Sequence, residues 1–212
     1  MLFYLSYQPR TANSVGIIDH YNENAYYLML AAIVRRFMLE VSNFTKVTNF
    51  QKDVTMKIEH YHRLTKQAVA LLESEKDLIA NLSNLSALLN MELEELNWVG
   101  FYLMKEGELV LGPFQGQPAC VRIPVGRGVC GTAVATNTVQ RVYDVHQFEG
   151  HIACDAASNS EIVIPFSING QIVGVLDIDS PKVGRFSEID EEGLTFLMSE
   201  VEKLFNSHAI SA

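Results

Sequence analysis

Cys120, Cys130 and Cys154 are the three cysteines of this chain, and all fall in one stretch rich in glycine and small residues, ACVRIPVGRGVCGTAVATNTVQRVYDVHQFEGHIACDAASNSE. Downstream, IVIPFSINGQIVGVLDIDS places Asp177 and Asp179 two positions apart on a predicted strand. Thiols beside carboxylates suit redox work on a small cationic substrate. A thiolate supplies the nucleophile, while carboxylates hold an ammonium group or move a proton.

A cysteine at a helix start feels the partial positive charge of unpaired N–H groups, which favours the thiolate. By that argument alone Cys130 is the nucleophile. Cys154 competes, because His151 lies three residues before it and Ala156, Ala157 and Ser158 offer backbone N–H groups nearby. Spacing does not choose between them. Zinc would draw on His146, His151, Cys130 and Cys154, but no C-x-x-C or H-x-x-x-H pair is present, so no metal is expected. Ser158, Ser160 and Ser167 lack the G-x-S-x-G elbow of a serine hydrolase.

Two further groups belong with the thiols. Extended backbone sends Asp177 and Asp179 to one face, roughly 7 Å apart, and Leu176 and Ile178 to the other. Glu161 opens the preceding strand, so a three-carboxylate cluster able to hold an ammonium is expected. Trp98 and Tyr102, an even spacing apart, share a face of their own strand and could wall an apolar pocket.

The elements that position these residues follow from periodicity. Tyr61, Leu64, Ala68, Leu71 and Leu72 predict a helix from Glu59, and Leu78, Leu82, Leu85, Leu88 and Leu89 predict a second after Asp77. Strands are predicted over Trp98–Met104, Leu109–Leu111 and Cys120–Val125, with a short helix over Cys130–Thr136. Asn169-Gly170 joins Ile162–Phe166 to Ile172–Ile178 as an antiparallel hairpin. Ser187 and Asp190 cap a final helix to Phe205, with Leu194, Leu197, Val201, Leu204 and Phe205 on one face. The expected fold is α+β, an antiparallel sheet flanked by N- and C-terminal helices. Gly126, Gly128 and Gly131 spell G-x-G-x-x-G, yet without a βαβ repeat they read as tight turns and close backbone approach, not a dinucleotide site.

Composition bounds the rest. The chain has 212 residues, 48% hydrophobic and 19% charged, enough for one packed core. A net charge of -9 excludes a phosphate-tracking surface, so no nucleic acid is expected. An odd, small number of cysteines indicates a reducing cytoplasm. The first residues lack a secretory signal, and the apolar run Ala25–Val34 is shorter than the roughly 20 residues of a bilayer span, so no membrane is expected. Residues 1–55 show no clear periodicity and read as an N-terminal extension; 56–212 form the domain.

The segments GPFQGQPACVRIPVGRGVCGTAV, DVHQFEGHIACDAASNSEIVIP and GVLDIDSPKVGRFSEID resemble the free methionine-(R)-sulfoxide reductases, single GAF-domain enzymes. The match runs from Met56 to Phe205. The resemblance implies reduction of free L-methionine-(R)-sulfoxide to methionine, with Cys154 as nucleophile and Cys120 as resolving thiol. It implies a Cys154 sulfenic acid, a Cys120–Cys154 disulfide recycled by external thioredoxin, and no bound cofactor. Cys130 is a second candidate resolver. Glu161, Asp177 and Asp179 correspond to the family's substrate acids, with Glu161 a candidate proton donor to the sulfoxide oxygen, and Trp98 and Tyr102 to its aromatic pocket. Many GAF domains pair through flanking helices, which makes a homodimer a candidate assembly. The competing class is a non-catalytic GAF sensor.

Overall fold

A computed structural model describes the backbone of residues 44–150 and 155–210 and the side chains of 51–150 and 155–208. The run Ala25–Val34 and the residues His151 and Cys154 lie outside the described residues. The chain divides into two compact units, Met1–Gln51 and Lys52–Ala212, and all packing considered below lies in the second.

The helices are α1 (Phe44–Leu72), α2 (Leu78–Glu92), α3 (Gly128–Thr136) and α4 (Glu188–Ile210). The strands are β1 (Trp98–Lys105), β2 (Glu108–Gly116), β3 (Arg122–Pro124), β4 (Gln140–Val142), β5 (Ser160–Ile168) and β6 (Gln171–Ser180). They form one six-stranded sheet in the order β3-β2-β1-β6-β5-β4. Every described pairing is antiparallel, as the α+β expectation requires.

Because side chains alternate across a strand, one face of the sheet carries Val99, Phe101, Leu103, Ile162, Ile164, Phe166, Leu176 and Ile178. These pack with Leu64, Leu85, Leu89, Leu194 and Leu197 of the helices into a single core. Burying each such side chain contributes about 1.5–3 kcal/mol. The opposite face carries Trp98, Tyr102, Leu109, Val163 and Val175, covered by Val129, Cys130 and Ala133 of α3.

Local signals account for most boundaries. Asp77 caps α2 by accepting from Ala80 N at 2.8 Å. Asn169 and Gly170 have φ of 53° and 76°, the left-handed pair that a tight hairpin between β5 and β6 demands. Ser187 and Asp190 exchange cap bonds at the start of α4, the backbone N–H of Ser187 donating to Asp190 Oδ2 at 2.7 Å. Asp190 also accepts from Lys57, Tyr61 and Arg185, tying α1 to α4.

Four expectations are corrected. α1 starts at Phe44, well before Glu59, and its buried stripe runs through Val54 and Ile58. Leu71 is 43% exposed and so lies off that stripe. β2 continues past Leu111 through Gly112 and Pro113 because a one-residue register shift between Gly100 and Tyr102 absorbs the irregularity. The region predicted as a strand over Cys120–Val125 is reduced to Arg122–Pro124, so Cys120 sits in the preceding loop.

The glycine motif is a turn. Gly126 N donates to Gly131 O at 2.8 Å, and a Cβ on Gly131 would lie 2.3 Å from Pro124 O. With antiparallel pairing throughout the described residues, the βαβ context of a dinucleotide fingerprint is missing among them. No helix among the described residues is long and apolar enough to cross a membrane.

Candidate active site

Strand register delivers the carboxylates. Asp179 pairs with Trp98 of β1 on one side and Glu161 of β5 on the other, and Asp177 pairs with Gly100 and Val163. On the face away from the helical core, Trp98, Asp179 and Glu161 therefore form one row across three strands, with Asp177 in the next. α3 packs against β5 and β6 and lowers Cys130 onto this row, its Sγ 3.9 Å from Glu161 Oε1. Together with Tyr102, Ala119, Ile123, Gly128, Val129, Asp155 and Ser158 they line a cavity that opens to solvent. Seven of the eight sequence-expected site residues are thus placed: Trp98, Tyr102, Cys130, Glu161, Asp177 and Asp179 line the cavity, and Cys120 adjoins the lining residue Ala119.

The aromatic pair is built as expected and extended by a third ring. Trp98 stacks on Tyr102 at 5.8 Å between centroids and on Phe114 at 5.2 Å. Both polar tips hold the cysteine loop: Tyr102 Oη donates to the Cys120 carbonyl at 2.9 Å, and Trp98 Nε1 donates to the Gln117 carbonyl at 3.1 Å. Cys120 is disulfide-bonded, and Cys130 is a free, buried thiol.

Burial dominates the electrostatics. Glu161 and Asp177 are each only 6% exposed. Burial, then repulsion from Asp177 and Asp179, pushes the Glu161 carboxyl well above its ordinary range. Burial raises Asp177 from 3.8 to about 6, against hydrogen bonds from Cys130 and Glu161 that pull it down. Asp179 is also raised, first by burial and then by Asp177, with Ser158 opposing. Acids buried this close together hold protons on to higher pH than usual.

The same charges correct the helix-start argument for Cys130. Its thiol is pushed well up, first by burial and then by Asp177 and Glu161, so the partial charge of α3 does not make it a thiolate. The offered backbone donors change too. Ala157 N donates to Asp155 Oδ1 at 2.9 Å and Ser158 N to the Asp155 carbonyl, so these two groups are spent within a turn. His146 Nε2 is bonded to Asn159 Oδ1 at 2.9 Å and stays exposed, so it does not join Cys130 as a metal ligand. Among the described residues, the side chains that could hold a metal are Cys130, Glu161 and Asp177.

Sequence reasoning missed the polar frame beneath the cavity. Asn97 Nδ2 donates to Asp155 Oδ2 at 2.8 Å and to Ser158 Oγ at 3.0 Å, and Asn97 N donates to the Asp179 carbonyl. This anchors the turn that follows Cys154 in sequence to the start of β1. The Asp155-to-Ser158 run is a recognisable side-chain-capped turn, but its partner Asn97 is more than fifty positions away.

A GAF domain family model matches residues 83–205. The chain is 60% identical over 148 residues to the free methionine-R-sulfoxide reductase of Escherichia coli, covering 70% of this chain and 90% of that one. It superposes on fRMsr of Staphylococcus aureus in its reduced form with a TM-score of 0.67 at 57% identity, covering 68% of this chain and 94% of that one. The free methionine-R-sulfoxide reductase of Neisseria meningitidis in complex with its substrate gives a TM-score of 0.68 at 42% identity, with 72% and 92% covered.

Proposed function

The chain belongs to the GAF-domain free methionine-(R)-sulfoxide reductases, and from that premise we propose that it reduces free L-methionine-(R)-sulfoxide to L-methionine by thiol chemistry. One observation carries the reading: three carboxylates, the buried Glu161 and Asp177 and the half-buried Asp179, share a cavity walled by Trp98 and Tyr102 beside the loop of a disulfide-bonded cysteine. An acidic, aromatic-walled cavity fits an amino acid with an ammonium at one end and an S-methyl group at the other.

In this reading Asp177 and Asp179 hold the α-ammonium by charge-assisted hydrogen bonds. Trp98 and Tyr102 enclose the S-methyl group and select one sulfoxide hand by shape. The Cys154 thiolate attacks the sulfoxide sulfur, and Glu161, whose carboxyl is pushed well above its ordinary range by burial and its acidic neighbours, hydrogen-bonds and protonates the oxygen. The oxygen leaves with the cysteine as a sulfenic acid, and the methionine thioether is released. Cys120 condenses with that sulfenic acid, water departs and a disulfide forms. Thioredoxin, in a reducing cytoplasm, then exchanges the disulfide back to two thiols. Support for this division of labour comes from Cys120, which is disulfide-bonded while Cys130 is not.

The test is methionine release with and without reductant. Reduced wild type should consume the free R sulfoxide catalytically with a thioredoxin regenerating system. Cys120→Ser should release about one equivalent and then stall, its sulfenic acid lacking a partner. Sustained cycling of Cys120→Ser would hand the resolving role to Cys130. No consumption by folded, reduced wild type would remove the reading.

A further inference from the structure

We infer that Cys130, Glu161 and Asp177 form a binding site for one thiophilic divalent cation of the zinc and cadmium class, and that such a cation blocks the ammonium pocket instead of assisting the reaction. One ligand atom from each of the three lies within 4.8 Å of the others, with Cys130 Sγ and Glu161 Oε1 3.9 Å apart. Zinc bonds of about 2.3 Å to sulfur and about 2.0–2.2 Å to oxygen, at tetrahedral angles, put sulfur and oxygen donors about 3.5 Å from one another. Small side-chain rotations therefore close the set.

Asp177 supplies an independent sign of a missing ligand. It is 6% exposed, lines the cavity, and although its carboxylate takes hydrogen bonds from Cys130 and Glu161, its Oδ1 has no hydrogen-bond partner among the described residues. A buried carboxylate oxygen left unpartnered is costly, and a cation is the partner it lacks. The three ligands come from α3, β5 and β6, elements already packed together, so the site is preformed.

Ligand type sets the selectivity. A sulfur donor with two carboxylate oxygens favours zinc and cadmium over magnesium and calcium, which demand oxygen throughout. Three protein ligands beside an open cavity leave a fourth position to water. On binding, the Cys130 thiol proton and the proton carried by Glu161 pass to solvent. Cys120 is disulfide-bonded here while Cys130 remains a free thiol, so the site persists in the oxidised protein.

That persistence allows a clean test on the oxidised full-length chain. Titration with Cd²⁺ alone, followed by calorimetry and by the ultraviolet thiolate-to-cadmium charge-transfer band, should show one ion per chain with the band. Cys130→Ser should abolish the band. Asp177→Asn should weaken binding at least about tenfold, the scale on which even outer-shell partners of a metal matter. Should Cys130→Ser not fold by circular dichroism, Glu161→Gln serves in its place with the same tenfold criterion. Absence of the band in wild type, or unchanged Cd²⁺ binding in a folded variant, would overturn the site. The blocking half rests on the proposed function: methionine should compete with Cd²⁺ and raise its apparent Kd. A Kd indifferent to saturating methionine would overturn the blocking half while the metal site stands.

Discussion

The two faces of the sheet alternate along the same strands and use burial in opposite ways. On the helix side, Leu176 and Ile178 are fully buried among leucines, and burial stabilises them. One residue along, Asp177 is nearly as buried on the other side, where burial strips a carboxylate of water and pushes its ionisation up to about 6. A pleated strand thus holds a stabilising residue and a destabilising one at neighbouring positions. The apolar face can carry the strain of the acidic face because each contact on it is independent of the site's chemistry.

The comparison breaks most completely at the sulfur. Cys154→Ser should lose methionine release altogether, even in a single turnover without reductant, while its urea midpoint stays near that of the reduced wild type, which also lacks the disulfide. Retained release would move the nucleophile to another cysteine. Next in size is the helix side, where Leu176→Ala should cost about 2–5 kcal/mol by removing buried methyls and lower the urea midpoint. Its kcat, measured on the folded fraction, should hold.

Asp177→Asn should do the reverse, raising KM by about tenfold or more, the equivalent of about 1–3 kcal/mol of charge-assisted hydrogen bonding, while raising the urea midpoint. A lowered midpoint would show that the carboxylate supports the fold. The sign can be sharpened with pH. Asp177 keeps its proton up to about 6 when folded but only to its ordinary 3.8 when unfolded. Between those values the folded chain binds more protons, so stability of the substrate-free protein should fall as pH rises. Asp177→Asn should flatten that slope. Asp190 works in the opposite sense: the Lys57 and Ser187 bonds outweigh burial and hold it down to about 2. Its contribution is present above 3.8 and lost as pH falls towards 2. The smallest effect belongs to Tyr102→Phe, which removes the bond to the Cys120 carbonyl and should cost about 0.5–1.5 kcal/mol. It should also quicken hydrogen exchange in the Cys120 loop, leaving the helix face unchanged.

Legibility in the sequence followed the range of the cause. The Asn169-Gly170 hairpin is a two-residue signal, and it sets the register that brings Glu161 opposite Asp179. Period-two alternation was enough to put Asp177 with Asp179 and Trp98 with Tyr102 on one face. Where a structure depends on distant partners the residues were silent. β4 is three residues long, too short for any period, and is a strand because Ile162 pairs with Arg141. Asn97 joins the site only through Asp155 and Ser158. The thiol of Cys130 defied its helix position because the opposing acids come from other strands. Each miss is a tertiary effect acting on a local rule.

The central claim is that the acidic face demands a free ammonium. Its most direct test is kcat/KM for free L-methionine-(R)-sulfoxide against the N-acetylated R sulfoxide, with the same thioredoxin regenerating system. Acetylation removes the charge and leaves buried carboxylates unpaired, so a loss of about a hundredfold or more is expected on the scale of unpaired buried polar groups. Equal turnover of the two would mean that Glu161, Asp177 and Asp179 do not read the ammonium, and the assignment of this face would be wrong.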